Sequence, residues 1–209
     1  MRPKDPNKAE QIRASALELF AAEGFDGFSM QKLAKAAGVS PATLYIHFQD
    51  KDDLIYQLYR EQMVDFGEEL LKDFGPDLPF AKGLRIQWEN RLRWARARPR
   101  SKKFLEQILY SPYHSEFSRR TEDPFRQAMG AFVSNAVRRK EILDFGCGGD
   151  PKKFPKEIYW ALAYAPLEEL IRYEREDGGP GSARRAKPFR IDEQLLDTAF
   201  RRVLRSLTP

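Results

Sequence analysis

Apolar residues recur at helical spacing along most of the chain. Ile12, Ala16, Leu19 and Phe20 stand at i, i+4, i+7 and i+8, one stripe of an amphipathic helix. Asp5-Pro6 supplies its cap and first position, and Gly24 its end. Phe25 and Phe28 carry the apolar pattern into SMQKLAKAAGVSPATLYIHFQDK, Ser29 to Lys51. Ser29 can cap a helix holding Leu33, Ala34 and Ala37. Gly38 then suits a turn with positive φ, and Val39 plugs the corner. Ser40-Pro41 restarts a helix, and Leu44 and Phe48, four apart, anchor it. Phe20, Phe25, Phe28, Leu33, Leu44 and Phe48 are thus expected to form one small core. Two short helices around a Gly turn make a helix-turn-helix.

The second helix leaves Ser40, Ala42, Thr43, Tyr45 and His47 outward. All are short or flat, and none is acidic. Short side chains let the backbone approach base edges. Hydroxyls can bond bases or phosphates, while Tyr and His suit phosphate oxygens.

Beyond this stretch the pattern predicts further helices. Asp50 caps one running to Phe74 before Gly75-Pro76, with Asp52 and Asp53 favoured by the helix dipole in its first turn. Others are expected over Phe80–Arg98, from Ser101 to Leu109, over Asp123–Leu143 and over Pro155–Glu176, the last kinked at Pro166. Asp177 to Pro188 reads as a Gly-, Pro- and Arg-rich linker. Asp192 starts a final helix with the cleanest stripe, Leu196, Ala199, Phe200, Val203, Leu204 and Leu207. No segment alternates as a strand does.

LAKAAGVSPATLYIHFQDKDDLI resembles the DNA-binding domain of the TetR (tetracycline-repressor-like) transcriptional regulators. The specific part is the LY.HF run, the Lys three residues after it and the D-L-I helix start. With the preceding helix, the resemblance covers about the first quarter of the chain. Ile46 stands where many members carry a polar or aromatic phosphate contact, and Ala42 where Gly is common. The resemblance implies an all-α chain: a helix-turn-helix domain at residues 1–50, then a helical dimerisation and ligand-sensing domain at 51–209. It implies a homodimer on a pseudo-palindromic double-stranded operator, usually repressing, and released by a small molecule.

The expected DNA face is Ser29, Gln31, Ser40, Pro41, Ala42, Thr43, Tyr45, His47 and Lys51. Ser29, Tyr45, His47 and Lys51 are assigned to phosphates, and Gln31 and Ser40 through Thr43 to bases. Lys51 stands at a helix N-terminus, where orphan N–H groups and an ammonium make an anion site. The dimer is expected through the last two helices, at Leu167, Leu170, Leu196, Phe200 and Val203, as a four-helix bundle. An effector pocket is expected among Trp88, Phe104, Ile108, Phe125, Met129, Phe132 and Tyr164, since pockets between bundle helices have such linings. Charged residues are scarce on those stripes, so the expected effector is apolar or aromatic.

Composition narrows the alternatives. Hydrophobic residues make 42% and charged residues 32% of the 209, enough for a globular core. The net charge of +5, from 36 Lys and Arg against 31 Asp and Glu, supports nucleic-acid binding only weakly. Residues 1–60 hold eight of each sign, so DNA affinity must come from local placement and from doubling in a dimer. The excess lies in Arg85, Arg91, Arg93, Arg96, Arg98, Arg100, Lys102 and Lys103, read as a solvated face with a basic loop, or alternatively as a long-range attraction for DNA. One Cys and no apolar run or signal core point to a reduced, cytoplasmic protein without a membrane span.

ILDFGCGGD, Ile142 to Asp150, is similar to the first motif of S-adenosylmethionine methyltransferases. Asp150 replaces its last Gly, and the helical surroundings disfavour a parallel sheet. Cys147 near Lys152 and Lys153 has the chemistry of a redox thiol. His47 and His114 lack ligand partners at metal spacing, and no cofactor or catalytic set is expected. An architectural DNA binder without a ligand is the further alternative.

Overall fold

The computed structural model describes residues 6–121, 124–144, 156–176 and 189–209. Within them the chain is helical: α1 (Pro6–Gly27), α2 (Met30–Ala36), α3 (Pro41–His47), α4 (Lys51–Leu71), α5 (Phe80–Ala97), α6 (Pro99–Leu109), α7 (Tyr113–Arg120), α8 (Pro124–Arg138), α9 (Lys156–Ala163), α10 (Ala165–Glu176) and α11 (Glu193–Leu207). The described residues contain no strand, and none of their helices is long and apolar enough to cross a membrane. They fall into two compact units, residues 1–66 with 98–123, and 67–97 with 124–209.

The first unit is larger than the three helices expected at 1–50. Its core holds Ile12, Phe20, Phe28, Leu33, Leu44 and Phe48, and Phe25 packs against it half-buried. Phe20 and Phe28 stack at 4.0 Å. The core also takes Leu54, Ile55, Leu58 and Tyr59 from α4, Phe104 and Ile108 from α6, and Phe117 from α7. A three-helix nucleus is too small to cover its own aromatic rings, so later helices close it.

α7 is absent from the expected helices because Phe117 is its only buried residue. Its helix is held by α4 instead: Phe117 lies 5.1 Å from the Tyr56 ring and 5.5 Å from Tyr59. The Tyr113 hydroxyl donates to Asp52 Oδ1 at 2.7 Å. Burial first, then this carboxylate, push the Tyr113 pKa up to about 12.

α5 ends at Ala97 and Pro99 starts α6, so Ser101 lies buried inside α6 and not at its cap. α6 packs in the first unit through buried Phe104 and Ile108, and ion pairs line its outer side. Arg98 pairs with Asp65 at 2.7 Å, Arg100 with Glu18 at 2.8 Å and Lys102 with Glu106 at 3.0 Å. Lys103 donates to the Ala21 carbonyl. The basic run is therefore matched by local acceptors, which leaves it little long-range field.

The second unit is organised on α5, whose Phe80, Leu84, Trp88, Leu92 and Ala95 form its buried stripe. Trp88 Nε1 donates to the Ala163 carbonyl at 2.8 Å. Gly83 lets α8 approach: a Cβ there would stand 2.6 Å from Phe132 Cζ. Glu141 Oε2 accepts the Phe80 N–H at 2.6 Å and so caps α5 from outside that helix. α8 ends at Arg138, short of the expected Leu143, because Lys140 turns left-handed (φ 58°) and the Glu141 N–H returns to the Ala136 carbonyl at 2.9 Å.

The expected Pro155–Glu176 helix is two helices that break at Tyr164. Pro166 then falls at the second position of α10, where its missing N–H costs nothing. Ile142, Leu143 and Asp144 follow α8 without forming the strand a methyltransferase motif requires. Cys147, Asp150, Lys152, Lys153 and the expected linker at 177–188 lie outside the described residues.

Candidate nucleic-acid interface

The reading head is assembled by caps at both helix starts. Ser29 Oγ accepts the Lys32 N–H at 3.2 Å, and Ser40 Oγ accepts the Thr43 N–H at 3.2 Å. Between them Gly38 takes φ 64°, and the Val39 N–H bonds the Ala34 carbonyl at 3.0 Å. Gln11 Nε2 donates to the Ala37 carbonyl at 3.3 Å, which ties α1 to the turn. Leu33, Leu44 and Phe48 are buried and hold α2 and α3 from beneath. A reciprocal cap starts α4: Asp50 Oδ1 accepts the Asp53 N–H at 2.8 Å, and Asp53 Oδ2 the Gln49 N–H at 2.9 Å.

These anchors leave part of the expected set outward. Gln31, Ser40, Pro41, Ala42 and Tyr45 are exposed, while Ser29, Thr43 and His47 are half-buried. Tyr45 is 55% and Ile46 44% exposed, so the departure at Ile46 puts an aliphatic side chain on the outer surface of α3. Thr43 Oγ1 lies 2.9 Å from Ser40 Oγ, so its hydroxyl is held by the cap.

Lys51 differs from expectation. Its ammonium turns inward, donating to the carbonyls of Phe25 at 3.0 Å and Phe28 at 3.4 Å, over the Phe28 ring at 5.6 Å. Two of its three donors are thus used to hold the end of α1. Lys35 is exposed in the last turn of α2 and was not among the expected contacts. Its charge is the signal in the sequence that marks it.

The other expected sites divide between the units. Phe104 and Ile108 pack in the first unit's core and leave the expected effector set. Trp88, Met129, Phe132 and Tyr164, with half-buried Phe125, share the second unit's core. The expected dimer stripe also faces inward: Leu167, Leu196, Phe200 and Val203 are buried in their own subunit, and Leu170 packs beside them. Phe200 meets the Trp88 ring at 5.5 Å, edge to face. An apolar stripe needs cover, and α5 with α9 and α10 supplies it before any second copy does.

Capped short helices crossing at a Gly turn, with the second helix outward, define a helix-turn-helix protein. Residues 12–58 match the family of bacterial regulatory proteins, tetR family. An HTH-type transcriptional regulator of Haemophilus influenzae is 39% identical over 90 residues, 43% of this chain and 48% of the relative. The fatty acid metabolism regulator protein of Bacillus subtilis is 37% identical over 73 residues, 35% of this chain and 37% of the relative. The matches thus span about half the length of the first relative and about a third of the second. A TetR family transcription regulator from Marinobacter aquaeolei shares the fold across 99% of this chain and 98% of its own, with TM-score 0.76 at 24% identity. Residues 12–58 are thus a DNA-binding domain of the tetR type, and the rest of the chain shares the fold of a TetR family structure.

Proposed function

We propose that the chain is a homodimeric transcriptional regulator that binds a pseudo-palindromic operator, acts as a repressor, and releases DNA when a small effector enters the second unit. The observation that carries the reading is the outer side of α3. It is exposed, anchored from below by Leu44 and Phe48, and Ser29 to Gln49 contains no carboxylate. Gln31 and Ser40 through Thr43 stand for base edges, and Ser29, Tyr45 and His47 for phosphates. Lys51 holds the head together and offers a phosphate its remaining donor. Lys35 adds an exposed cation to the same motif. The regulatory names of the two sequence relatives support this reading.

Since the apolar stripe of α11 is covered within the subunit, dimerisation falls to the outward sides of α10 and α11, where Tyr173, Thr198 and Arg202 are exposed. α4 has residues in both units, and that covalent continuity is the route by which an effector reaches the head. Release requires that the effector bind better to the conformation with misplaced heads. The deciding experiment is a footprint of the protein on its own promoter, repeated with compounds that raise its melting temperature. Protection of two half-sites about one helical turn or a multiple apart is expected, weakened by such a compound. Sequence-independent coverage that no stabilising compound alters would overturn the reading in favour of an architectural binder.

A further inference from the structure

Arg91 is 2% exposed, in the middle of the apolar face of α5. Its guanidinium lies 4.3 Å from the centre of the Tyr164 ring, 5.1 Å from Trp160 and 5.5 Å from Phe125. Glu168 Oε1, from α10, accepts from it at 3.2 Å. The other arginines of α5 that pair with acids, Arg85, Arg93 and Arg96, have side chains 25%, 55% and 45% exposed. An arginine stays charged wherever it is placed, and burying it costs heavily unless rings and a carboxylate surround it. We propose that this aromatic box with Arg91 at its floor is the head-group site of the effector, and that the effector is a monocarboxylate on an apolar body. The proposal rests on the effector reading above and names the ligand class.

The chemistry follows from the walls. Three ring faces accept an apolar chain or ring as readily as they accept the guanidinium. Arg91 Nη1 already meets one carboxylate oxygen of Glu168 at 3.2 Å, so the ligand that competes best is a carboxylate able to engage the guanidinium with both oxygens. Trp160, one of the three rings around the guanidinium, is 43% exposed, so this wall of the box borders solvent. Met129, whose sulfur lies 3.6 Å from the Tyr164 hydroxyl, gives the wall a deformable side chain for tails of different shape. Burial holds the Tyr164 pKa up at about 12, so its hydroxyl stays neutral. The expected apolar or aromatic effector thereby gains a charged end, because the folded chain puts a cation among rings that come from α8, α9 and the α9–α10 turn. A ligand carboxylate on Arg91 displaces Glu168. The tie between α5 and α10 then loosens as the ligand is gained.

The test compares decanoate with decanol, two probes of equal chain length, by calorimetric titration of the full-length protein without DNA. Decanoate is expected to bind at least about tenfold more tightly, the scale of a charge-assisted contact. Glu168→Gln removes the internal competitor and is expected to tighten decanoate and leave decanol unchanged. Arg91→Met, checked for helix content, is expected to erase the preference. Equal binding of the two probes, or weaker decanoate binding by Glu168→Gln, overturns the proposal even if Arg91→Met fails to fold. Failure of the regulator reading is seen separately, as absence of operator protection by the ligand-free protein.

Discussion

Lys51 shows how a residue's role changes once its surroundings are known. Its bonds to Phe25 and Phe28 make Lys51→Met a stability variant as well as a DNA-binding one. Losing them is expected to cost about 1–2 kcal/mol, seen as a lower urea midpoint. Operator affinity is expected to fall alike for all sequences, with a salt slope lower by about one. Thr43→Ala is expected instead to change preference among operators by about 1 kcal/mol, read from competition binding. An unchanged midpoint for Lys51→Met would show that the carbonyl contacts contribute nothing.

Glu141 is a second residue whose work is local. The Arg139 hydrogen bond lowers its pKa, burial opposes this, and the Phe80 N–H lowers it further. A carboxylate with a depressed folded pKa contributes stability above its unfolded value near 4.5, and that contribution is lost as pH falls through the folded value. The urea midpoint of the wild type is therefore expected to drop between about pH 5 and pH 3, and that of Glu141→Gln to drop less. Identical pH profiles would show that the Glu141 cap contributes nothing to stability.

At the scale of elements, α5, α8 and α11 are fixed by close packing. Gly83→Ala forces a methyl against Phe132 and is expected to cost about 1–3 kcal/mol, with loss of cooperativity in thermal melts if the ring cannot turn. Phe200→Glu distinguishes the two possible uses of α11. Because Phe200 packs edge to face on Trp88, a carboxylate there loses that packing and is expected to destabilise the fold and give insoluble or unfolded protein, even with the Arg85 guanidinium 5.4 Å from the present ring. A soluble, folded monomer from that variant would mean the stripe belongs to the dimer contact after all.

For the whole molecule, the dimer is the quantity to measure. With the stripe of α11 turned inward, Tyr173→Glu on the outward side of α10 is expected to give folded monomers in sedimentation, with operator affinity much reduced. A dimer with undiminished affinity would place the subunit contact elsewhere. A dimer also doubles the few phosphate contacts of one head, which matters for a domain whose first 60 residues carry equal charge of both signs.

The reading head was legible because its information is local. Ser29, Gly38, Ser40 and Pro41 act on backbone groups within four residues, and Leu33, Leu44 and Phe48 follow one helical period, so caps, turn and buried face could all be read from spacing. Tertiary structure decided whatever depends on partners distant in sequence. α7 is a helix because α4 offers it Tyr56 and Tyr59, and Lys51 points inward because Phe25 and Phe28 present carbonyls to it. The α11 stripe shows that it will be buried without showing by what, since an apolar side chain is satisfied equally by its own subunit or by another. Arg91 looked like one more surface cation in a basic run. Only packing against Tyr164, Trp160 and Phe125 placed its charge inside, because hydrophobic periodicity records which face of a helix is covered and not which polar group the covering elements will enclose.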